Sequence, residues 1–223
     1  MVALFVILFV VVLLTIDFVI QARQKKYPLM SRVPQSAEAL AHSSLVRVPK
    51  GVFLHHGHTW ARMQGGDEVV VGIDDFAQKA IGAIERVTLP FIGQQVKQGD
   101  PVITVQRGGH TLSLVAPISG RVRAVNRDIQ DNPALIGDSP YNLGWLFMVE
   151  PVQLASSLSV LSIAENAASW VRQEAERLRD FLVHRGQPAL VGETMLDGGV
   201  PVGGSLEYLD DDAVKSFESE FLR

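Results

Sequence analysis

Three histidines near the start of the folded region are candidates for metal chemistry. His55, His56 and His58 precede Trp60. On a strand, residues two apart share a face, so His56 and His58 could supply two imidazole ligands. A metal site usually needs three or four converging ligands, and no acidic residue lies in the same segment. The alternative is that His58 and Trp60 belong to the framework while His55 and His56 lie at the surface.

Other catalytic chemistries lack their usual residues. The chain has no cysteine, which excludes disulfides, thiolate catalysis and cysteine-ligated metal clusters. The sequence contains no Gly-x-Ser-x-Gly elbow, phosphate loop or dinucleotide glycine fingerprint. The carboxylate run Asp210-Asp211-Asp212 stands at a predicted helix start, where acidic side chains act as caps. We therefore predict a protein that is not an enzyme and carries no cofactor.

Composition limits the partners. The 223 residues carry a formal charge of −4 and a pI near 5.9. Basic residues are scattered, and no basic stripe with interleaved aromatic residues is present. This balance argues against nucleic acid as a partner. The length accommodates one ordinary domain with additions.

The first 22 residues are predicted to form a transmembrane anchor. Residues 2–20 are almost wholly apolar, and as a helix they would extend about 28 Å, close to the hydrocarbon thickness of about 30 Å. A cleaved signal peptide is the alternative, but it usually has a positive amino-terminal region and a shorter apolar core. No lysine or arginine precedes this run.

Charge predicts the orientation of this anchor. Arg23, Lys25 and Lys26 follow the span directly, which places the N-terminus outside and the main domain on the cytoplasmic side of the inner membrane. Asp17 is the only ionisable side chain in the run. It lies either near the interface or in contact with a neighbouring transmembrane helix. Residues 23–50 contain three prolines and are predicted to form a tether.

Residues 51–151 have the pattern of a small, mainly β domain. Val69-Val70-Val71-Gly72-Ile73 is a β-branched run typical of a buried strand. Asp74 or Asp75 is predicted to cap a helix that continues to about Ile81. Short strands separated by glycine and proline turns follow, which favours a sandwich or barrel.

Short motifs follow one another in a fixed order through this region. They are His58-Thr59-Trp60, Val71-Gly72-Ile73-Asp74-Asp75-Phe76-Ala77-Gln78, Leu89-Pro90 with Gly93, Gly99-Asp100, Ala116-Pro117-Ile118-Ser119-Gly120, Val125-Asn126, Pro133-Ala134-Leu135-Ile136, Pro140-Tyr141 and Gly144-Trp145-Leu146. This collinear set resembles the H protein of the glycine cleavage system, a carrier that holds lipoic acid on one lysine. The resemblance implies a barrel-sandwich hybrid fold of two four-stranded layers related by pseudo-symmetry, with the carrier lysine on a hairpin tip.

The carrier lysine is missing from the position that the resemblance assigns to it. Counting back from Ala116 places Gly109 there, and the sequence has no lysine between Lys97 and Lys215. An amide-linked lipoyl arm needs a primary amine, and glycine has no side chain. Gly108-Gly109 suits a tight turn with positive φ, so the hairpin is expected to persist. Arg107 and His110, beside this turn, are candidate partner contacts.

The carboxy-terminal third extends beyond the resemblance and is predicted to be helical. Residues 152–185 are predicted to form one amphipathic helix with an apolar stripe at steps of three and four. That stripe comprises Leu161, Ala164, Ala168, Val171, Ala175, Leu178 and Leu182. It packs either on the chain's own β domain or on a partner. Residues 186–223 are predicted to be loops with a short terminal helix, whose Phe217 and Phe221 are candidate partner contacts.

Two functions fit these expectations. The first is a non-enzymatic accessory or scaffold subunit that stabilises or docks onto a membrane complex, for which we expect a respiratory or photosynthetic electron-transfer assembly. The second is a membrane-tethered adaptor or decoy for enzymes that recognise lipoyl carriers. A histidine-based metal protein is a third hypothesis.

Overall fold

Short antiparallel strands arranged in two sheets form the core of the protein. The computed structural model describes residues 48–185 and 204–223. The strands in the described ranges are β1 (Val52–Leu54), β2 (Thr59–Met63), β3 (Val69–Ile73), β4 (Arg86–Thr88), β5 (Gln95–Val96), β6 (Pro101–Arg107), β7 (His110–Val115), β8 (Gly120–Val125), β9 (Trp145–Pro151) and β10 (Ser162–Ile163). One sheet has the order β10-β1-β2-β3-β9-β8-β5 and the other the order β4-β6-β7. The prediction of a mainly β domain is confirmed.

Helices lie between and after these strands. They are α1 (Asp75–Ile81), α2 (Asp128–Asp131), α3 (Leu135–Asp138), α4 (Leu154–Leu158), α5 (Ala164–His184), a 3-10 helix (Ser205–Tyr208) and α6 (Asp211–Phe221). Asp74 caps α1, and its Oδ1 accepts a hydrogen bond from the amide of Ala77 at 2.8 Å. This is the cap predicted from the sequence.

Within residues 48–185 and 204–223 the sheets contain seven and three strands, so the prediction of two four-stranded layers is wrong. The added strand β10 comes from beyond residue 151 and pairs with β1, with Phe53 opposite Ile163. A strand edge has unpaired amide and carbonyl groups, and β10 satisfies some of those of β1. The carboxy-terminal third therefore extends the larger sheet.

A large aromatic side chain fixes the packing of β2 on β3. Trp60 is fully buried, and its indole Nε1 donates to the carbonyls of Ile73 at 3.0 Å and Pro140 at 3.2 Å. A buried indole needs such a partner. Gly72 lies opposite Trp60 across the two strands, and a Cβ atom at Gly72 would collide with the indole ring. Glycine is needed here because of this close approach.

Residues 152–185 do not form the single helix that was predicted. They form α4, then β10, and only then the long helix α5, which begins at Ala164. The serine-rich run before Ala164 competes with helix formation because short hydroxyl side chains bond to nearby backbone groups: Ser156 and Ser159 bond to carbonyls three residues earlier. The buried residues of α5 are Ala167, Val171, Glu174, Ala175, Leu178, Phe181 and Leu182.

No helix in the two described ranges is long and apolar enough to cross a membrane. The predicted anchor at residues 1–22, with Asp17, lies outside these ranges, as does nearly all of the predicted tether.

Candidate functional site at the hairpin tip

The β6–β7 hairpin ends in a two-residue glycine turn. Gly108 and Gly109 have φ angles of 55° and 84°, and Arg107 pairs with His110 across the turn. Positive φ at both central residues is the geometry of a two-residue hairpin turn, which favours glycine. Apart from its two chain neighbours, no residue in the described part of the chain lies within 4 Å of a Cβ atom built on Gly109. The tip therefore has room for a side chain and has none.

Arg107 folds back from the tip onto its own chain. Its Nη1 donates to the carbonyl of Ile81 at 2.6 Å, and its Nη2 pairs with Glu207 Oε2 at 2.6 Å. A cation at the carboxyl end of α1 is favoured by the free carbonyls and the helix dipole. Arg107 was predicted to contact a partner. Instead, its side chain is 15% exposed and joins α1 to the returning carboxy-terminal segment.

The carboxy-terminal segment reaches the hairpin at further points. His110 Nδ1 lies 3.5 Å from Asp211 Oδ1, so this second predicted partner contact also faces the chain's own tail. The amide of Gly204 donates to the carbonyl of Lys79 at 2.8 Å. Residues 204–211 thus cover one flank of the tip.

Phe217 and Phe221 do not form an exposed face. Their rings stack with centroids 4.9 Å apart, and Phe221 also lies edge-on to Phe181 of α5. Both side chains are essentially inaccessible to solvent. The prediction that they contact a partner is wrong, because α5 and the domain bury the apolar side of α6.

A surface cleft of about 430 Å³ lies beside the tip. It is lined by Gln78, Gly82, Ala83, Ile84, Arg107, Pro133, Ala134, Gly137 and Asp138. The guanidinium of Arg107 stands at its edge, but the contacts to Ile81 and Glu207 occupy that group. The cleft lies where α1, the hairpin and the α2–α3 segment meet.

The histidine cluster does not have the strand geometry that two metal ligands would need. His55 to His58 form the turn between β1 and β2, so the expectation that His56 and His58 share a strand face is wrong. His56 is exposed and packs edge-on against Trp170. His58 is fully buried, with φ at 56°. In residues 48–185 and 204–223 no group of three or more His, Asp or Glu side chains could hold a metal ion.

His58 belongs to a buried charge network. Its Nδ1 lies 2.8 Å from Asp74 Oδ2, and its Nε2 lies 3.7 Å from Glu174 Oε2. Burial alone would lower the pKa of His58, but the carboxylates of Asp74 and Glu174 outweigh it and raise that pKa. Burial would raise the pKa of Glu174, but His58 and Arg177 outweigh it and lower that pKa.

Comparison with known proteins identifies the family of the domain that carries this hairpin. The glycine cleavage H-protein family model matches residues 53–174, more than half of the chain. The chain belongs to the glycine cleavage H-protein family. The match begins in β1 and ends inside α5. The second half of α5 therefore lies outside it, as do residues 204–211, which cover the hairpin flank.

Curated and solved relatives agree with this assignment. The glycine cleavage system H protein of Anoxybacillus flavithermus is 37% identical over 127 residues, which are 57% of this chain and 98% of that protein. The probable H protein of Thermococcus kodakarensis is 32% identical over 126 residues, 56% of this chain and 93% of that protein. The crystal structure of the Mycobacterium marinum H protein has a TM-score of 0.50 at 31% identity, covering 55% of this chain and 98% of that one.

Several residues of these sites were missed in the sequence. Glu174, Trp170 and Glu207 were not singled out as site residues. The i,i+3 spacing of Glu174 and Arg177 was visible and predicts an ion pair. The burial of Glu174 beside His58 had no local signal, because the two residues are far apart in the chain.

Proposed function

We propose that this H-protein family member is a non-enzymatic, membrane-anchored scaffold subunit whose hairpin is not lipoylated. The H proteins of this family are lipoyl carriers and not catalysts themselves. They interact with the enzymes of the glycine cleavage system. The observation that carries the proposal is the glycine turn at the tip, where Gly109 occupies the position expected for the lipoyl lysine. Glycine has no amine to acylate, and the chain has no lysine from residue 98 to residue 214.

The covered flank of the hairpin favours a scaffold over the adaptor or decoy. A decoy for lipoyl-handling enzymes needs a free tip that resembles a carrier. In this chain Arg107 is bonded to Ile81 and Glu207, and His110 lies beside Asp211. An enzyme that approaches from this flank would meet the chain's own tail. The adaptor hypothesis therefore requires displacement of residues 204–211.

We expect no lipoyl group on the full chain when it is coexpressed with a lipoylation system. Intact-protein mass spectrometry should give the unmodified mass, while the Anoxybacillus flavithermus H protein, expressed in parallel, should gain one lipoyl group. The Gly109→Lys variant tests the position, because its side chain would enter open space at a cost of about 1 kcal/mol for the left-handed backbone. We expect this variant to be modified in part. A lipoyl group on the wild-type chain would refute the proposal.

We expect the protein to copurify with a defined set of membrane subunits. The experiment is purification from native membranes in mild detergent, with the stoichiometry of companions measured by mass spectrometry. Electron-transfer complexes are the first candidates to examine. A variant that lacks residues 1–22 should lose membrane attachment, because those residues are the predicted anchor on the inner membrane. Isolation as a free monomer would contradict the scaffold, and copurifying glycine-cleavage or lipoylation enzymes would favour the adaptor.

A further inference from the structure

His58 is enclosed by two aromatic rings and two carboxylates. Its imidazole stacks on Phe76 with ring centroids 4.3 Å apart, and on Trp170 with centroids 4.8 Å apart. Asp74 Oδ2 lies 2.8 Å from Nδ1, and Glu174 Oε2 lies 3.7 Å from Nε2. Carboxylates and the faces of aromatic rings both attract a cation. This enclosure fits an imidazolium better than a neutral imidazole.

The four enclosing groups come from two parts of the fold. Asp74 and Phe76 belong to the start of α1, whereas Trp170 and Glu174 belong to α5. The neutral imidazole has one N–H and cannot donate to both carboxylates, while the imidazolium donates from both nitrogens. In the neutral form either Asp74 or Glu174 would face a nitrogen lone pair. At 3.7 Å the contact with Glu174 is an ion pair and not a hydrogen bond, and His58 Nε2 has no hydrogen-bond partner among the described residues. Protonation of His58 therefore decides whether α1 and α5 attract each other through its charge.

Arg177 extends this connection to the last helix. It makes two hydrogen bonds of 2.7 Å to the carboxylate of Glu174 and one of 3.3 Å to the carbonyl of Glu220. Its guanidinium also lies 4.9 Å from the centre of the Phe221 ring. A weakened Glu174 contact would therefore affect α6 as well as α5.

We propose that His58 is a proton-operated clamp that holds α5 and α6 on the β domain when it is charged and loosens them when it loses its proton. The clamp goes beyond the proposed function and does not depend on it. It would let pH control how firmly α6, and with it the preceding residues 204–211, is held against the hairpin flank.

Other ionisable groups surround His58, among them His56, whose ring lies edge-on to Trp170 with centroids 5.4 Å apart. On the β1–β2 turn, burial and the neighbouring His56 and His58 lower the pKa of His55 to about 4, so that His55 stays neutral. Next to Asp74, burial raises the pKa of Tyr141 well above its usual value. The helices packed around His58 also carry charge pairs, which are Asp75–Lys79 on α1, Glu174–Arg177 on α5, and Glu218 of α6 with Arg223.

The raised pKa of His58 sets the direction of the pH effect. The stabilisation is complete below the ordinary histidine pKa of about 6.5 and is lost as pH rises through the raised pKa of the clamped state. In that window the ratio of released to clamped molecules should rise about tenfold per pH unit. The lowered pKa of Glu174 has its effect at acidic pH. The stabilisation that the charged Glu174 carboxylate provides is lost as pH falls through that lowered pKa.

The absence of native cysteines permits a direct test on the full chain in detergent. Met63→Cys on β2 and Val183→Cys on α5 replace side chains that are 41% and 46% exposed and would carry two spin labels. Below about pH 6.5 we expect one narrow distance between the labels. As pH rises, we expect a second, broad component that grows by about tenfold per pH unit relative to the first.

Two variants distinguish the clamp from general pH effects. His58→Phe keeps a ring between Phe76 and Trp170 without a charge, and its distance distribution should not depend on pH over the same window. His110→Gln removes the histidine beside Asp211 and should respond as the wild type does. An unchanged wild-type distribution across the window, or a wild-type response in His58→Phe, would overturn the proposal. If His58→Phe does not fold, nitrogen NMR of the wild-type imidazoles decides: a His58 pKa at or below the ordinary value overturns the clamp.

Discussion

Replacing Asp74 with alanine is expected to lower the free energy of unfolding by about 3–5 kcal/mol, because it leaves a buried His58 without its closest charge partner. Asp74 is fully buried and has two roles. One carboxylate oxygen caps α1 through the amide of Ala77, and the other lies 2.8 Å from His58 Nδ1. Alanine removes both interactions. The measurement is denaturant unfolding followed by circular dichroism.

The chain offers a matched control for the cap alone. Asp210 caps α6 with the same geometry, accepting from the amide of Ala213 at 2.8 Å, but it is exposed, and no histidine of the described ranges pairs with it. Asp210→Ala should therefore cost about 1 kcal/mol. Asp74→Asn keeps a capping oxygen and loses the charge, so we expect an intermediate loss. Equal losses for Asp74→Ala and Asp210→Ala would show that the His58 contact contributes nothing to stability.

Replacing Phe217 with alanine is expected to cost about 3–5 kcal/mol, the usual loss when a large buried aromatic side chain leaves a cavity. Phe217 is fully buried between Phe221, 4.9 Å away, and Phe181 of α5, 6.4 Å away between ring centroids. The unfolding midpoint in denaturant should fall without a change in the slope of the transition.

Phe91 is the control for this prediction. It lies between β4 and β5 and is 72% exposed, so Phe91→Ala should change stability by no more than about 0.5 kcal/mol. If Phe217→Ala costs as little as Phe91→Ala, then α6 is not packed on this domain in solution. That outcome would also weaken the argument that the tail covers the hairpin flank.

Local features were predictable from the sequence because their causes are local. The cap at Asp74, the glycine turn at residues 108–109 and the apolar side of α6 each depend on residues within a few positions of one another. The collinear motifs led to the correct family for the same reason, since each motif meets a local requirement. Two of the motifs also meet each other, because Trp60 and Gly72 lie opposite one another on β2 and β3, where close packing excludes a side chain.

Features that depend on distant contacts were not predictable. The serine-rich run before Ala164 interrupts the predicted helix, and Ser162-Ile163 pairs instead with β1, about a hundred residues earlier. Nothing near Glu174 indicates that it is buried beside His58. The same apolar stripe on α6 would suit a partner or the chain's own core. The contacts of α5 with Phe217 and Phe221 show that this stripe packs on the chain's own core.

The sequence by itself determined that this is an H-protein family domain whose hairpin has glycine where a carrier lysine is expected, because side-chain identity at a tight turn is independent of distant packing. The tertiary structure decided where the segments beyond the family match pack, namely the second half of α5 and residues 204–223. It directed Arg107 towards Glu207, buried Phe217 and Phe221, and enclosed His58 between two helices. The physical reason is that the free energy of these contacts comes from desolvation and charge pairing between segments that only the folded chain brings together.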